Sequence, residues 1–258
     1  MAEPNPEELF NLGMFSYDKK DFFKARKYFE KACDLNNGRG CDALGRLYYY
    51  GRGVEKNLTR AAQFHSKACD LNNGDGGCFN LGLLYEYGQG VEKNLIKATQ
   101  FYSKACELKD SMGCKNLGAL YYNGEGVGKD LIKAAYFYSK ACELKEGDGC
   151  GALGGLYYNG DGVKQDSKKA AALFDKACDL NIGRGCGALG VLYVNGQGVE
   201  KDLTKAAQFC SKACDLNNNK GCFNLGALYL EKDSKKAATL FKKACKLGYK
   251  KACEMIKE

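Results

Sequence analysis

Tryptophan is absent from this sequence, histidine occurs once, and proline occurs twice, as Pro4 and Pro6. Each scarcity removes a class of explanation. A single histidine, His65, leaves no material for repeated Ser-His chemistry and argues against a Cys/His zinc site. Both prolines precede the regular part of the chain, so none of the later helical patterns is broken by a residue without an amide donor. No apolar run approaches the ~18 residues needed to span a bilayer. The opening MAEPNPEELF has neither the basic start nor the hydrophobic stretch of a secretory leader. The formal charge is +8, but the lysines are spread evenly through KAA and SKAC segments. That distribution reads as solvated helix faces, and no nucleic-acid partner is expected.

Cysteine is what the chain has in quantity, fifteen in all. The stretch CDLNNGRGC, residues 33–41, returns as CDLNNGDGGC, CELKDSMGC, CELKEGDGC, CDLNIGRGC, CDLNNNKGC and CKLGYKKAC. The leading cysteines follow one another at 36 or 37 residues, with a last step of 31. A fixed period of this size marks a repeat array, whose length no single core limits.

Two helical patterns recur in each unit. One is Leu-Gly followed three residues later by an aromatic: LGRLY (44–48), LGLLY (81–85), LGALY (117–121), LGGLY (153–157), LGVLY (189–193) and LGALY (225–229). The other precedes the first cysteine and places a small residue, an aromatic and an alanine on one face, as in Ala25/Phe29/Ala32, Ala134/Tyr138/Ala141 and Ala237/Phe241/Ala244. The small residues allow close helix approach and the aromatic fills the space beside them. Between the two helices lie GRGVEKN and its variants. Their first glycine suits a left-handed helix end. The closing Asn57, Asn94, Asp130, Asp166 or Asp202 suits the N-cap of the next helix. A Gly-x-Gly that follows a helix and lacks a Gly-Lys-Ser/Thr sequel reads as a turn, not a phosphate cradle.

The interval from Leu-Gly to the second helix is shorter in the first and last units, which lack the glycine loop. The ends therefore resemble the tetratricopeptide repeat, and the middle resembles its longer-looped relative, the Sel1-like repeat. The expected fold is all-α: a right-handed α/α superhelical solenoid of seven helix-turn-helix units, roughly 5–38, 39–74, 75–111, 112–147, 148–183, 184–219 and 220–249. A capping helix over 250–258 is expected to close a single repeat domain, 1–258.

Each cysteine pair joins the end of one unit's second helix to the start of the next unit's first. The expected use is a disulfide in each pair: Cys33–Cys41, Cys69–Cys78, Cys106–Cys114, Cys142–Cys150, Cys178–Cys186, Cys214–Cys222 and Cys245–Cys253. Closing so short a loop contributes about 2.5 kcal/mol by the chain-entropy argument, and would set how one hairpin sits on the next. Reduced cysteines in small-residue slots and zinc ligation are the competing uses. Cys210 is left over as a free thiol. It occupies the packing slot that holds Phe29, Tyr102, Tyr138, Phe174 and Phe241 elsewhere, and His65 occupies the same slot in its own unit. A Cys210–His65 catalytic dyad is not expected, because four repeats separate them. Each is read as a packing residue. No metal and no cofactor are expected.

The combination of GxGVxKD, LGxLY and the eight-residue cysteine step resembles the Helicobacter cysteine-rich protein family, along essentially the whole chain. The resemblance implies export through a cleavable leader, absent from this numbering, and residence in a secreted or periplasmic, oxidising setting, with roles in contact between bacterium and host. Some family members carry a β-lactamase or penicillin-binding designation. The serine β-lactamase motif set is incomplete here: SYDK, Ser16 to Lys19, is a Ser-x-x-Lys, but Ser-Asp-Asn and Lys-Thr-Gly do not occur. No catalytic residue is assigned; slow β-lactam turnover is the alternative function, and a passive envelope scaffold a third.

The favoured reading is a binding surface formed by the first helix of each unit. Its variable positions include Asp42, Arg46, Tyr49, Tyr50, Phe79, Leu83, Tyr87, Lys115, Tyr122, Asn123, Tyr158, Asn159 and Asn195. Tyrosine offers contact area at low entropic cost, and asparagine can hold the amides of an extended peptide. A peptide or protein segment is the expected partner, bound by a monomer.

Overall fold

The computed structural model describes residues 5–71 and 76–256. Among them all regular structure is helical, in fifteen elements that fall into two compact units, one ending at Asp130 and the other beginning at Leu131. The first unit holds α1 (Pro6–Asp18), α2 (Phe22–Asp34), α3 (Gly38–Tyr50), α4 (Leu58–Asp70), α5 (Gly77–Tyr87), α6 (Leu95–Glu107) and α7 (Ser111–Asn123). The second holds α8 (Leu131–Glu143), α9 (Gly147–Asn159), α10 (Ser167–Asp179), α11 (Gly183–Asn195), α12 (Leu203–Asp215), α13 (Asn219–Tyr229), α14 (Ser234–Lys246) and α15 (Lys250–Glu254). Within each unit the helices pack as successive antiparallel neighbours, an α/α solenoid arrangement. The short α15 lies against α14 where a cap is expected; residues 257–258 of that cap, and the boundary placed between residues 74 and 75, lie outside the described residues.

Local chemistry sets the helix ends. The helices α4, α6, α10 and α12 start where the glycine loop delivers an acceptor. Asn57, Asn94 and Asp202 each take the amide three residues on at 2.9 Å, and Asp166 does so at 3.0 Å. Such a cap is worth about 1 kcal/mol over alanine. Gly51 closes α3 at φ 68, a left-handed conformation that a side chain disfavours, while its amide returns to Leu47.

The joints between repeats use a second device, not evident from the cysteine spacing. In LNN, LKD and LKE the middle residue takes a left-handed φ: 60 at Asn36, 64 at Lys109 and 62 at Lys145. The residue after it then caps the odd-numbered helix, as Asn37 does for the amide of Gly40 at 2.8 Å and Asp110 for Gly113 at 2.8 Å. This compact reversal holds the flanking cysteines together, with Cα atoms 4.6 Å apart for Cys33–Cys41 and 4.4 Å for Cys214–Cys222. All seven neighbouring pairs are joined as disulfides, and Cys210 is a buried free thiol.

The core is a ladder of small residues and one large one. Ala25, Ala61, Ala98, Ala134, Ala170, Ala206 and Ala237 are fully buried where the second helix of each hairpin meets the first. The glycine of Leu-Gly receives the large residue of the slot. A methyl group at Gly82 would lie 2.6 Å from Cε1 of Tyr102, and one at Gly13 would lie 2.4 Å from Cε1 of Phe29. Only glycine lets the ring lie this close to the facing backbone.

Candidate functional site

The slot residue on the second helix also has a partner on the first: the residue just after the second cysteine, or its counterpart Phe10. The pairs are Phe10–Phe29, with ring centroids 5.9 Å apart, Phe79–Tyr102 at 5.9 Å and Phe223–Phe241 at 5.4 Å. Four repeats depart from aromatic pairing, and two of them, α3/α4 and α11/α12, have neither Phe nor Tyr at either position. In α3/α4 the pair is Asp42–His65, with Nδ1 of His65 2.7 Å from Oδ1 of Asp42. In α11/α12 the corresponding positions hold Gly187 and Cys210, with no ring at all, and Cys210 packs against Gly190. His65 is therefore more than a substitute packing residue. It is 2% exposed, and its partner carboxylate also accepts a hydrogen bond from Nδ2 of Asn80 at 2.9 Å.

Each of these two repeats borders a surface cleft. The first cleft, of about 520 Å³, lies between α3 and α5, with Asp42, Arg46, Tyr49, Tyr50, Leu83 and Tyr87 on its walls and His65 and Asn80 at its base. Six of the expected surface residues thus converge. Tyr50 and Tyr87 are exposed at 57% and 63%. Tyr49 is anchored by its hydroxyl to Oε1 of Gln89 in the next glycine loop, at 2.8 Å. Asp42 is 6% exposed and engaged with His65 and Asn80, so it shapes the wall and is not the free group expected from its helix position.

The second cleft, of about 540 Å³, lies on α11 between α9 and α13. Of the expected residues it recruits Tyr158, whose hydroxyl bonds Oε1 of Gln197 at 3.1 Å, the same arrangement as Tyr49 with Gln89. Gly187, Ala188, Val191 and Leu192 make its floor, and Arg184, Lys220 and Asn224 its rim. Sequence reasoning missed the rim and the floor. The signal available was the coincidence of Gly187 after Cys186 with Cys210 in the slot, the one repeat in which both positions are small.

The remaining expected residues do not join these clefts. Phe79 packs on Tyr102 and the Cys69–Cys78 joint, because its position faces the slot. Asn159 turns to Oδ2 of Asp161 at 3.0 Å and Asn195 to Oε1 of Gln197 at 3.3 Å, each serving its own loop. Lys115 is half-buried, and Tyr122 and Asn123 are exposed near the end of α7.

Electrostatics mark two further groups. Burial raises the Tyr102 phenol above its ordinary range, and its hydrogen bond to Glu86 adds to the rise. Burial alone pushes the Cys210 thiol up to about 11. That makes it an inert thiol, since the thiolate is the reactive form. Ser16 is buried and donates to the carbonyl of Leu12 at 2.9 Å, while Nζ of Lys19 stands 4.1 Å over the ring of Phe15. Each group of the Ser-x-x-Lys is thus engaged elsewhere. Among the described residues no group of three or more His, Cys, Asp or Glu side chains is arranged to hold a metal.

Comparison with known families decides the kinship. The Sel1 repeat model matches residues 39–73, 76–110, 111–146, 148–182, 184–218 and 220–249, and a tetratricopeptide repeat model matches 6–39. The chain belongs to the Sel1 repeat family. HcpC of Helicobacter pylori, named as a candidate β-lactamase, is 60% identical over 60 residues, covering 23% of this chain and 21% of that protein. HcpA of the same species, named a β-lactamase, is 50% identical over 60 residues, covering 23% and 24%. The matched stretches therefore span about a quarter or less of these curated relatives.

Solved Sel1 repeat structures match more broadly. A protective antigen present in uropathogenic Escherichia coli strains superposes with a TM-score of 0.89 at 25% identity, over 98% of this chain and 56% of its own. A Sel1 repeat protein of Oxalobacter formigenes gives 0.80 at 26% identity, over 92% and 96%. Sel1 repeats are a protein-interaction fold. The seven disulfides point to an oxidising, non-cytoplasmic compartment. No described helix is long and apolar enough to cross a membrane.

Proposed function

We propose that this chain is a secreted or periplasmic binding protein that holds peptide or protein segments of a partner on the odd-helix faces of its repeats, in contact between bacterium and host. One observation carries the reading. Side chains at positions that vary from repeat to repeat, Arg46, Tyr50, Leu83 and Tyr87, meet at one cleft, while the residues that build each hairpin stay constant around them. Solenoids bind through such variable positions on an invariant frame. Two large, exposed tyrosines beside a cation match the composition of protein-recognition surfaces. The host-contact setting is supported by the Helicobacter relatives and by the E. coli neighbour described as a protective antigen.

Selection of heptapeptides from a displayed library on the oxidised protein tests this. A peptide consensus should emerge, and Tyr50→Ala with Tyr87→Ala should weaken its best member at least tenfold with little change in thermal midpoint. No enrichment above an unrelated disulfide-bonded protein would overturn the reading.

β-Lactam turnover is a second reading because HcpA bears that name at 50% identity over 60 residues. Its natural nucleophile would be Ser16, whose hydroxyl is buried and bonded to Leu12. Saturable nitrocefin hydrolysis lost in Ser16→Ala would support it; hydrolysis unchanged by that substitution would remove Ser16 from the mechanism.

A further inference from the structure

The cleft on α11 has a cause that says what fits it. In three other repeats the position after the second cysteine carries a side chain that meets the slot: Phe79 on Tyr102, Phe223 on Phe241, Asp42 on His65; Gly151 carries none, but its slot keeps Phe174. At Gly187 and Cys210 both partners are small. A methyl group on Gly187 would meet Oδ1 of Asn218 at 3.3 Å and Cβ of Ala213 at 3.7 Å, so the recess that Gly187 lines is bounded on this side by Asn218. Its walls are apolar, from Phe174, Ala188, Val191 and Leu192.

A polar observation coincides with the apolar one. In the first unit Asn80 donates its side-chain amide to the carboxylate of Asp42. Asn224 is the counterpart of Asn80, two residues after the second cysteine, and it borders this cleft. Gly187 stands where Asp42 would, so no carboxylate of that kind faces it. Arg184 and Lys220 stand on the same rim, exposed and positively charged. Among the described residues the cleft's lining supplies amide donors and cations but no carboxylate, beside an apolar recess.

We propose that this cleft recognises a carboxylate next to an aromatic side chain in a peptide ligand, the ring entering above Gly187 and the carboxylate meeting Asn224 between Arg184 and Lys220. The inference rests on the peptide-binding reading above and names the chemistry of one of its subsites. A ring over Gly187 would restore the kind of contact made by Phe79 and Phe223, and a carboxylate at Asn224 would restore the one made by Asp42. Charge-assisted hydrogen bonds to Arg and Asn donors are the stronger kind and fix orientation, while the buried ring supplies most of the affinity. The carboxylate can belong to an Asp or Glu side chain or to a peptide C-terminus.

The test uses the full oxidised chain and calorimetric titration with four synthetic probes: acetyl-Gly-Asp-Phe-Gly-amide, its Asn-for-Asp and Ala-for-Phe forms, and acetyl-Gly-Gly-Phe with a free C-terminus. Binding of the first or the last is expected, at least tenfold tighter than to the uncharged or ring-less forms, and weakening as salt rises. The free-terminus probe tells a terminal from a side-chain carboxylate. Gly187→Phe should abolish binding by filling the recess, and Arg184→Glu with Lys220→Glu, both exposed, should abolish it without unfolding. Equal affinity for the Asn and Asp probes, binding that survives Gly187→Phe, or no binding of any probe would each overturn the proposal. If library selection still yields ligands sensitive to Tyr50 and Tyr87, the broader reading survives; if it yields none, both fall.

Discussion

Nδ1 of His65 lies 2.7 Å from Oδ1 of Asp42, in a slot that three other hairpins fill with two tilted rings. The pair is buried, and Asn80 completes the carboxylate's bonding. Removing one member leaves the other buried without its partner, which costs about 1–3 kcal/mol. Asp42→Ala should therefore lower the unfolding free energy by that much, read from a denaturant titration. Asp42→Phe combined with His65→Phe, which copies the Phe10–Phe29 pair, should recover most of the loss. A double variant no better than the single one would show that the site needs its polar pair.

Cys210 should behave as the least reactive thiol its chemistry allows. With the thiol pushed up to about 11 by burial, only about one molecule in a thousand is thiolate at pH 8. Native protein should resist iodoacetamide, and denatured, unreduced protein should take up one label per chain. The linkage has a definite sign. The folded thiol is raised above the ordinary value of 9.0, so its contribution to stability is whole below pH 9 and is lost as the pH climbs towards 11. The gap in stability between the natural chain and Cys210→Ala should shift in that sense over this window.

Non-reducing peptide mapping should recover the seven short-range pairs, including Cys33–Cys41 and Cys178–Cys186. Replacing Cys178 and Cys186 together by alanine should cost about 2.5 kcal/mol, read as a lower denaturation midpoint with the helical circular dichroism retained. Long-range pairings in the map would contradict the joint geometry.

Two loop glycines should respond in opposite ways. Gly198 sits at φ 72, and a methyl group there would lie 2.1 Å from the carbonyl oxygen of Ser167. Gly198→Ala should destabilise by more than about 1 kcal/mol. Gly128 has open space around it and no left-handed φ. Gly128→Ala should be neutral or stabilise by up to about 1 kcal/mol. Thermal midpoints of the two variants, measured side by side, decide the comparison.

Much of this architecture is written in short-range pattern. Period, Leu-Gly contacts, glycine helix ends and Asn or Asp caps all act over three to five residues, so Ala25, Phe29 and Asn57 could be placed from their spacing alone. The cysteine joints were legible for the same reason, since eight or nine residues of chain connect their partners. The LNN reversal was local as well, but its signal is faint: Asn36 turns and Asn37 caps, while Lys109 makes the same turn without asparagine.

What only the tertiary structure decided is where the first helix of one repeat meets the next. Asp42 joins Asn80 across 38 residues and Tyr49 joins Gln89 across 40, and no local periodicity states which side chain of a helix turns inward at that register. Phe79 and Tyr87 share α5, yet packing sends the first into the seam and leaves the second in solvent. The sequence by itself determined a disulfide-jointed array of helical hairpins, because its controlling contacts are near neighbours in the chain. The clefts, and the open place above Gly187, arise where distant residues either meet or fail to fill the space between them.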